Sequence, residues 1–539
     1  MKKYNAETLL HTKKHTGCIY LLALHIFLFS PASIAQTNSA PAAKTSKTAN
    51  EITYPIRAFR LTGNRLIPTE HLLDKLAVLY GENRSVSDLA TARDLVLAVY
   101  KQAGYSLIGV GLPTRIATDG VVELSITEIT VGKVQSVGNQ HFSFSNLREQ
   151  LPVLVEGLPP NTTKLSNEIF LANDNPSRYL SVNFTPPKQG SVDAEIRVTE
   201  TEPLSYLLSA DSSGSAETGR ARLGLAVQHA NMFERSHILK LGYRTSPANP
   251  DNVKVANFAY QIPQPAFSSQ FQISAYYADV NVGRVLDAFE VSGKFTHAEL
   301  AYLVDVQRDL GSRHALEFAL AKRDYQPSIL FGGANLVTDV SAVPASAGYR
   351  YASENIDHKL ALDLTYTHNL AVGSKNDNAT YNASRATASA SWQKLRLSAS
   401  GQRELGGDWS ARLRGTVQYA DAPLIDTEAL FAGGLNSVRG LVGGELMGDR
   451  GYFANLELYA PKLADAHRFF VFVDSGKISR INAQPGEQSG SSALTGGVGW
   501  SYVRSKKAEL TVGIANVVEG ATLTPGGKNA LDFRALIRF

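Results

Sequence analysis

Downstream of Leu204, apolar and polar residues alternate with a period of two, the spacing that sets one row of a strand against an apolar medium and the other against water. Ala411, Leu413, Gly415, Val417 and Tyr419 alternate with Arg412, Arg414, Thr416 and Gln418. Leu360, Leu362, Leu364 and Tyr366 do so with Ala361, Asp363, Thr365 and Thr367, and further runs lie at 220–228, 237–244, 253–261, 271–277, 313–323 and 494–503. At about 10 residues per strand plus turns, the span predicts a transmembrane antiparallel β-barrel of roughly 16 strands over 203–539. Arg412 and Arg414 then face the lumen, since an arginine turned towards midplane lipid costs about 2–4 kcal/mol. Segments 324–351 and 372–385, rich in Gly, Ser and Asn, are expected as outer loops. The run 531–539 (LDFRALIRF) puts Leu531, Phe533, Ala535, Ile537 and Phe539 on one face and Asp532, Arg534 and Arg538 on the other. Barrel closure would satisfy the edge of such a strand.

Upstream the pattern is different. After a strand at 56–61 and a turn at Gly63-Asn64, Leu72, Leu73, Leu76 and Leu79 recur at helical spacing behind Thr69. A second helix carries Leu89, Ala92, Val96, Val99 and Ala103 behind Ser87 and stops at Gly104. Strands follow at 105–110 and at Val122, Leu124 and Ile126, completing an α/β unit over 51–129. A second Gly138-Asn139, helical stretches at Phe144 and behind Ser166, a turn at 173–176 and the alternation Val192, Ala194, Ile196, Val198 repeat the plan over 130–202. Units of this kind offer strand edges to an extended peptide, or serve as spacers.

Residues 1–35 read as a secretory signal, with Lys2, Lys3, Lys13 and Lys14 ahead of an apolar run at 19–29 and Ser33-Ile34-Ala35 before the cut. That run is shorter than the about 20 residues a spanning helix needs. Residues 36–50 are small, polar and without periodicity, and are expected as a flexible leader. The sole cysteine, Cys18, leaves with the signal, which excludes a disulfide framework and thiol chemistry. A formal charge of +4 with no basic block argues against nucleic acid. The histidines lack metal-ligand spacing and no nucleophile elbow or phosphate loop occurs, so neither cofactor, metal nor enzymatic activity is expected.

Two segments depart from barrel background: Phe431-Ala432-Gly433-Gly434 followed by Ser437-Val438-Arg439-Gly440, and Val471-Phe472-Val473-Asp474-Ser475-Gly476. With GYSL, LPTR and DGVVEL in the first α/β unit and LANDNPSR in the second, these resemble the haemolysin secretion/activation proteins, outer-membrane transporters of two-partner secretion. The resemblance covers nearly everything after Ile52. It implies two periplasmic POTRA domains, a sixteen-stranded barrel in the bacterial outer membrane, and a loop folded back into the lumen. Arg439, between Val438 and Gly440 at the loop tip, would pair with Asp474 on the wall. Taken alone, Arg439 in its Gly-rich turn fits a solvated loop arginine better than a wall anchor. Glu457, between Leu456 and Leu458, is expected to face the lumen beside them. An aromatic commonly follows VRG in the family, whereas Leu441 stands here.

The implied partners are a cognate exoprotein recognised through its N-terminal secretion domain, outer-membrane lipid, and, during biogenesis, periplasmic chaperones and the barrel-assembly machinery, which would read Phe539. Export of that exoprotein, unfolded, through the barrel is the leading expectation. An assembly factor for other barrels and a passive porin are the alternatives.

Overall fold

A computed structural model of the chain describes residues 53–114, 119–285, 289–464, 466–505 and 507–539. The expected signal at 1–35 and leader at 36–50 lie outside these residues. The described chain falls into two compact units, 53–173 with 178–200 and 174–177 with 201–539.

In the first unit, β1 (Tyr54–Ile56), β2 (Ala58–Thr62), α1 (Thr69–Leu76), β3 (Gly81–Arg84), α2 (Val86–Gln102), β4 (Ile108–Gly111) and β5 (Val121–Glu128) form the leading half. A three-stranded sheet in the order β2-β5-β4 packs Phe59, Val122, Leu124 and Ile126 against Leu72, Leu76, Leu89, Ala92 and Val96 of the helices. The cap of α2 is Ser85 rather than Ser87, because Ser85 and Asp88 close a reciprocal capping box. The trailing half repeats the order with β6 (Thr130–Val137), α3 (Phe144–Glu149), α4 (Thr162–Ala172), β7 (Arg178–Phe184) and β8 (Ser191–Glu200), in a sheet β6-β8-β7. Here too the cap lies earlier than the pattern suggested: Asn161, not Ser166, accepts the Lys164 N–H at 3.0 Å.

The repetition extends to single hydrogen bonds. Gly63 and Gly138 both have φ +87°, and a Cβ at either would collide with the carbonyl oxygen of Ile126 or Val198. The following Asn64 and Asn139 each donate to a carbonyl three residues on, Ile67 and Phe142, at 3.0 Å. Glu128 then accepts the N–H groups of Arg65 and Leu66, as Glu200 accepts those of Gln140 and His141. The halves meet end to end: Gly104, beyond α2, offers its carbonyl to the N–H and hydroxyl of Thr162 at 2.7 and 2.8 Å, so α4 begins where α2 has left acceptors unused.

Glu168 on α4 is 5% exposed and accepts the Val153 N–H at 3.2 Å; burial pushes its carboxyl up to about 7 from an ordinary 4.5. A carboxyl raised in this way holds its proton more tightly folded than unfolded. Stability therefore falls as pH rises from about 4.5 to 7 and levels off above. We expect the melting temperature of a purified 53–202 segment to drop across that window and Glu168→Gln to flatten the profile; an equally steep variant profile would assign the slope to another group.

The second unit is a closed antiparallel barrel of sixteen long strands. They are β9 (Leu204–Asp211), β10 (Arg222–Met232), β11 (His237–Thr245), β12 (Val253–Gln264), β13 (Ser269–Val285), β14 (Phe289–Arg308), β15 (Ser312–Phe331), β16 (Pro344–Glu354), β17 (His358–Asn369), β18 (Gln393–Gly406), β19 (Trp409–Ala420), β20 (Arg450–Tyr459), β21 (His467–Ser479), β22 (Gly490–Arg504), β23 (Ala508–Glu519) and β24 (Asn529–Arg538). No described helix is long and apolar enough to cross a membrane.

Outward rows such as Leu456, Val471, Val473, Val498 and Ile514 are about half exposed, and their neighbours turn inward. The expectation of a loop over 324–351 is corrected. β15 runs on to Phe331 and β16 begins at Pro344, leaving a connection of 332–343 with two short strands. Pro327 is accommodated in β15 because the N–H of Ile329, two residues on, points away from β14 to the Asn335 side chain. The missing Pro327 donor thus faces the same side, where no ladder runs at 326–329. The segment 372–385 is a loop holding α5 (Asn378–Ser384).

β24 closes on β9 through five paired positions, Arg534 to Arg538, and Phe539 adds two backbone bonds to Tyr206, at 3.0 and 3.3 Å. Removing Phe539 loses both bonds at the shortest seam and bares the β9 edge there. The amount of heat-modifiable barrel in the outer membrane should fall; an unchanged amount would free Phe539 of an assembly role.

Candidate functional site

Between β19 and β20 the chain makes a long excursion, 421–449, whose middle lies on the inner wall of β20–β23. Gly433 (φ +126°) starts the reversal, where a Cβ would strike the Val442 carbonyl, and its N–H is held by the Ser437 hydroxyl at 2.7 Å. Val438 is fully buried and Leu441 is 5% exposed, packed with Leu446, Phe453, Ile478 and Val517. A leucine therefore fills the place where the family resemblance suggested an aromatic. Gly440 (φ +88°) sits against Ala515 and Val517, each 3.2 Å from where its Cβ would stand.

This seating delivers Arg439 to the wall. Its Nε and Nη2 donate to the two oxygens of Asp474 at 2.7 Å each, its backbone N–H adds a third bond at 3.0 Å, and Nη1 donates to Glu457 at 2.8 Å. The guanidinium lies 3.6 Å over the Phe472 ring. Asp474 is completely buried, Glu457 3% exposed and Arg439 6% exposed. Charge is nearly balanced, since Glu457 also receives Arg414 at 3.3 Å and the Tyr459 hydroxyl at 2.9 Å, with Arg412 at 3.8 Å. A planar fork spanning two carboxylates has one well-defined position, and a lysine could not reproduce it. Arg439 is thus not a solvated loop residue: it, Asp474 and Glu457 form one cluster, with Val438 and Gly440 shaping the approach, while Phe539 lies apart at the β9–β24 seam.

Over residues 190–502 the chain matches the model of the haemolysin secretion/activation protein ShlB/FhaC/HecB family. It belongs to that family. Residues 54–128 match the ShlB-type POTRA domain. Heme/hemopexin transporter proteins HuxB of Haemophilus influenzae are 24% identical over 282 residues, 50% of this chain and 47% of theirs, so the match spans about half the length of those relatives. Among solved structures, CdiB from Escherichia coli superposes with a TM-score of 0.76 at 15% identity over 93% of both chains. CdiB from Acinetobacter baumannii reaches 0.71 at 15% identity, over 99% of this chain and 96% of that one. BamA from Haemophilus ducreyi lacking POTRA domains 1–3 is more distant, with a TM-score of 0.53 at 15% identity over 90% of this chain. Family members are outer-membrane β-barrel transporters with periplasmic POTRA domains, which puts this barrel in the outer membrane and the domain at 54–128 in the periplasm.

Sequence reasoning missed a second anchor of the same family loop. Glu428, 1% exposed, accepts Arg323 at 2.8 Å, the Tyr325 hydroxyl at 2.8 Å and Lys394 at 2.7 Å beside a lumenal cavity of about 380 Å³. Strand parity does turn Arg323 and Lys394 inward. Nothing local marks Glu428, whose partners lie 105 and 34 residues away.

Proposed function

We propose that this chain is the outer-membrane pore of a two-partner secretion system, which captures one large exoprotein in the periplasm and passes it unfolded to the cell surface. The observation that carries the reading is the buried Arg439–Asp474–Glu457 cluster, which fixes a long loop inside a barrel preceded by two α/β units. A porin that merely passes solutes has no use for such units. The trailing α/β half, 130–202, is read as another POTRA domain because it repeats the leading one down to its Gly-Asn turns. Each three-stranded sheet has two edges, β2 and β4 in one and β6 and β7 in the other, onto which an extended segment of the exoprotein's N-terminal secretion domain can add as a strand. The periplasm holds no ATP, so direction comes from folding of the cargo outside. An assembly factor for other barrels fits less well, given the lower similarity to BamA. Biogenesis is assigned to the barrel-assembly machinery and periplasmic chaperones. The test is a comparison of culture supernatants with and without the gene: one large protein should vanish and return on complementation, and identical supernatants would overturn the reading.

A further inference from the structure

We propose that Arg385 and Asp449 form a latch that holds the outer mouth of the pore shut by locking four loop segments at one point. The inference rests on the export reading only in taking the barrel as a conduit. Residues 201–203 lead straight from β8 into β9, so β9 starts at the periplasmic rim and odd-numbered strands end at the outer rim; the connections 370–392, 421–449 and 480–489, which follow β17, β19 and β21, all lie there.

Arg385, 7% exposed, follows directly on α5 and donates Nη1 and Nη2 to the two oxygens of Asp449 at 2.6 and 2.9 Å; Asp449 is completely buried. The pair is clasped from both sides by backbone. Leu424, at the start of the inward-folded loop, gives its N–H to Asp449 at 2.9 Å and its carbonyl to Arg385. Ile481, in the next outer connection, does the same, with its N–H to Asp449 at 2.6 Å and its carbonyl to Arg385 at 3.1 Å. Asp449 itself closes the inward-folded loop. One ion pair thus joins both ends of that loop to its two neighbours, with six hydrogen bonds formed or lost together.

Beside the latch, Tyr381, Ala388, Ala390, Trp392, Leu424 and Ile425 form a buried apolar layer, and Tyr381 donates to the Ser341 carbonyl at 3.0 Å, bringing in 332–343. Apolar contacts alone can slide past one another. A bidentate pair that also holds two backbones cannot, and losing either partner leaves a buried charge uncompensated. The mouth therefore has a discrete closed state, at the opposite end of the same loop from the Arg439 anchor.

The test is single-channel recording of the purified full chain in planar bilayers. Arg385→Ala and Asp449→Asn should each shift the closed-to-open ratio by about 100-fold or more towards open, as expected for one missing partner of a buried pair. Arg385→Lys, which keeps the charge but not the fork, should fall between. Millimolar guanidinium on the outer side should close Arg385→Ala channels and leave Asp449→Asn channels open, a rescue that a general loss of folding would not show. Wild-type gating in Arg385→Lys and either other variant, with equal heat-modifiable barrel, would overturn the latch. Latch variants that gate as expected while the wild-type chain exports nothing would leave the latch standing and remove the export reading instead.

Discussion

Arg439→Ala is expected to stop export while leaving the barrel folded, and Asp474→Ala to do the same. Removing one partner of a buried, hydrogen-bonded pair costs about 3–5 kcal/mol, against roughly 0–1 kcal/mol for an exposed pair. Arg439 makes four hydrogen bonds to the wall, three of them through its guanidinium, so truncation to alanine removes those three and leaves the tip held to Asp474 by the backbone N–H alone. The strand ladders flanking Asp474, from Asn455 on β20 and Thr495 on β22, are untouched, and closure of the barrel does not depend on the tip. Exported protein normalised to heat-modifiable barrel should therefore collapse while barrel amount holds. The double variant should be less than additive because both changes remove one interaction. Glu457→Ala should be milder, since Arg439 keeps its bonds to Asp474. Full additivity in export and conductance would separate the two residues functionally, whatever their geometry.

A chain lacking 56–202 should export nothing and still conduct in planar bilayers. The barrel closes on itself through β9 and β24, and the residues removed pair their strands among themselves, in sheets distinct from the barrel ladder. What is lost is the pair of sheets on whose edges recognition of the exoprotein is placed. Purified 53–202 should bind the exoprotein's N-terminal region and not a passenger from which that region is deleted. Continued export by the truncated chain would move recognition to the barrel.

The barrel was legible because a strand between lipid and a wet lumen must alternate, and β19 shows it residue by residue from Ala411 to Tyr419. Arg439 and Asp474 were legible through motif resemblance alone: 35 residues separate them, and no local spacing says that a loop arginine will fold back onto a strand two hairpin arms away. Glu428 with Arg323 and Lys394, and Arg385 with Asp449, stayed invisible for the same reason, since each joins charges far apart in sequence that no local pattern relates. Residues 324–331 were misread because Gln326, Pro327 and Ser328 carry turn chemistry, while the partner that makes them a strand, β14, lies outside the segment.

Passage of the exoprotein through this lumen can be caught by cross-linking a cargo stalled in transit by a folded C-terminal fusion. Cys18 is the sole cysteine of the chain and precedes the described residues, so single cysteines report cleanly. Ser400→Cys and Gln402→Cys, on the inward row with Arg412 and Arg414, should capture the stalled cargo, and Val498→Cys and Ile514→Cys, on the outward row, should not. Capture at the inward positions alone is expected; capture from neither row, or equally from both, would exclude passage through the lumen.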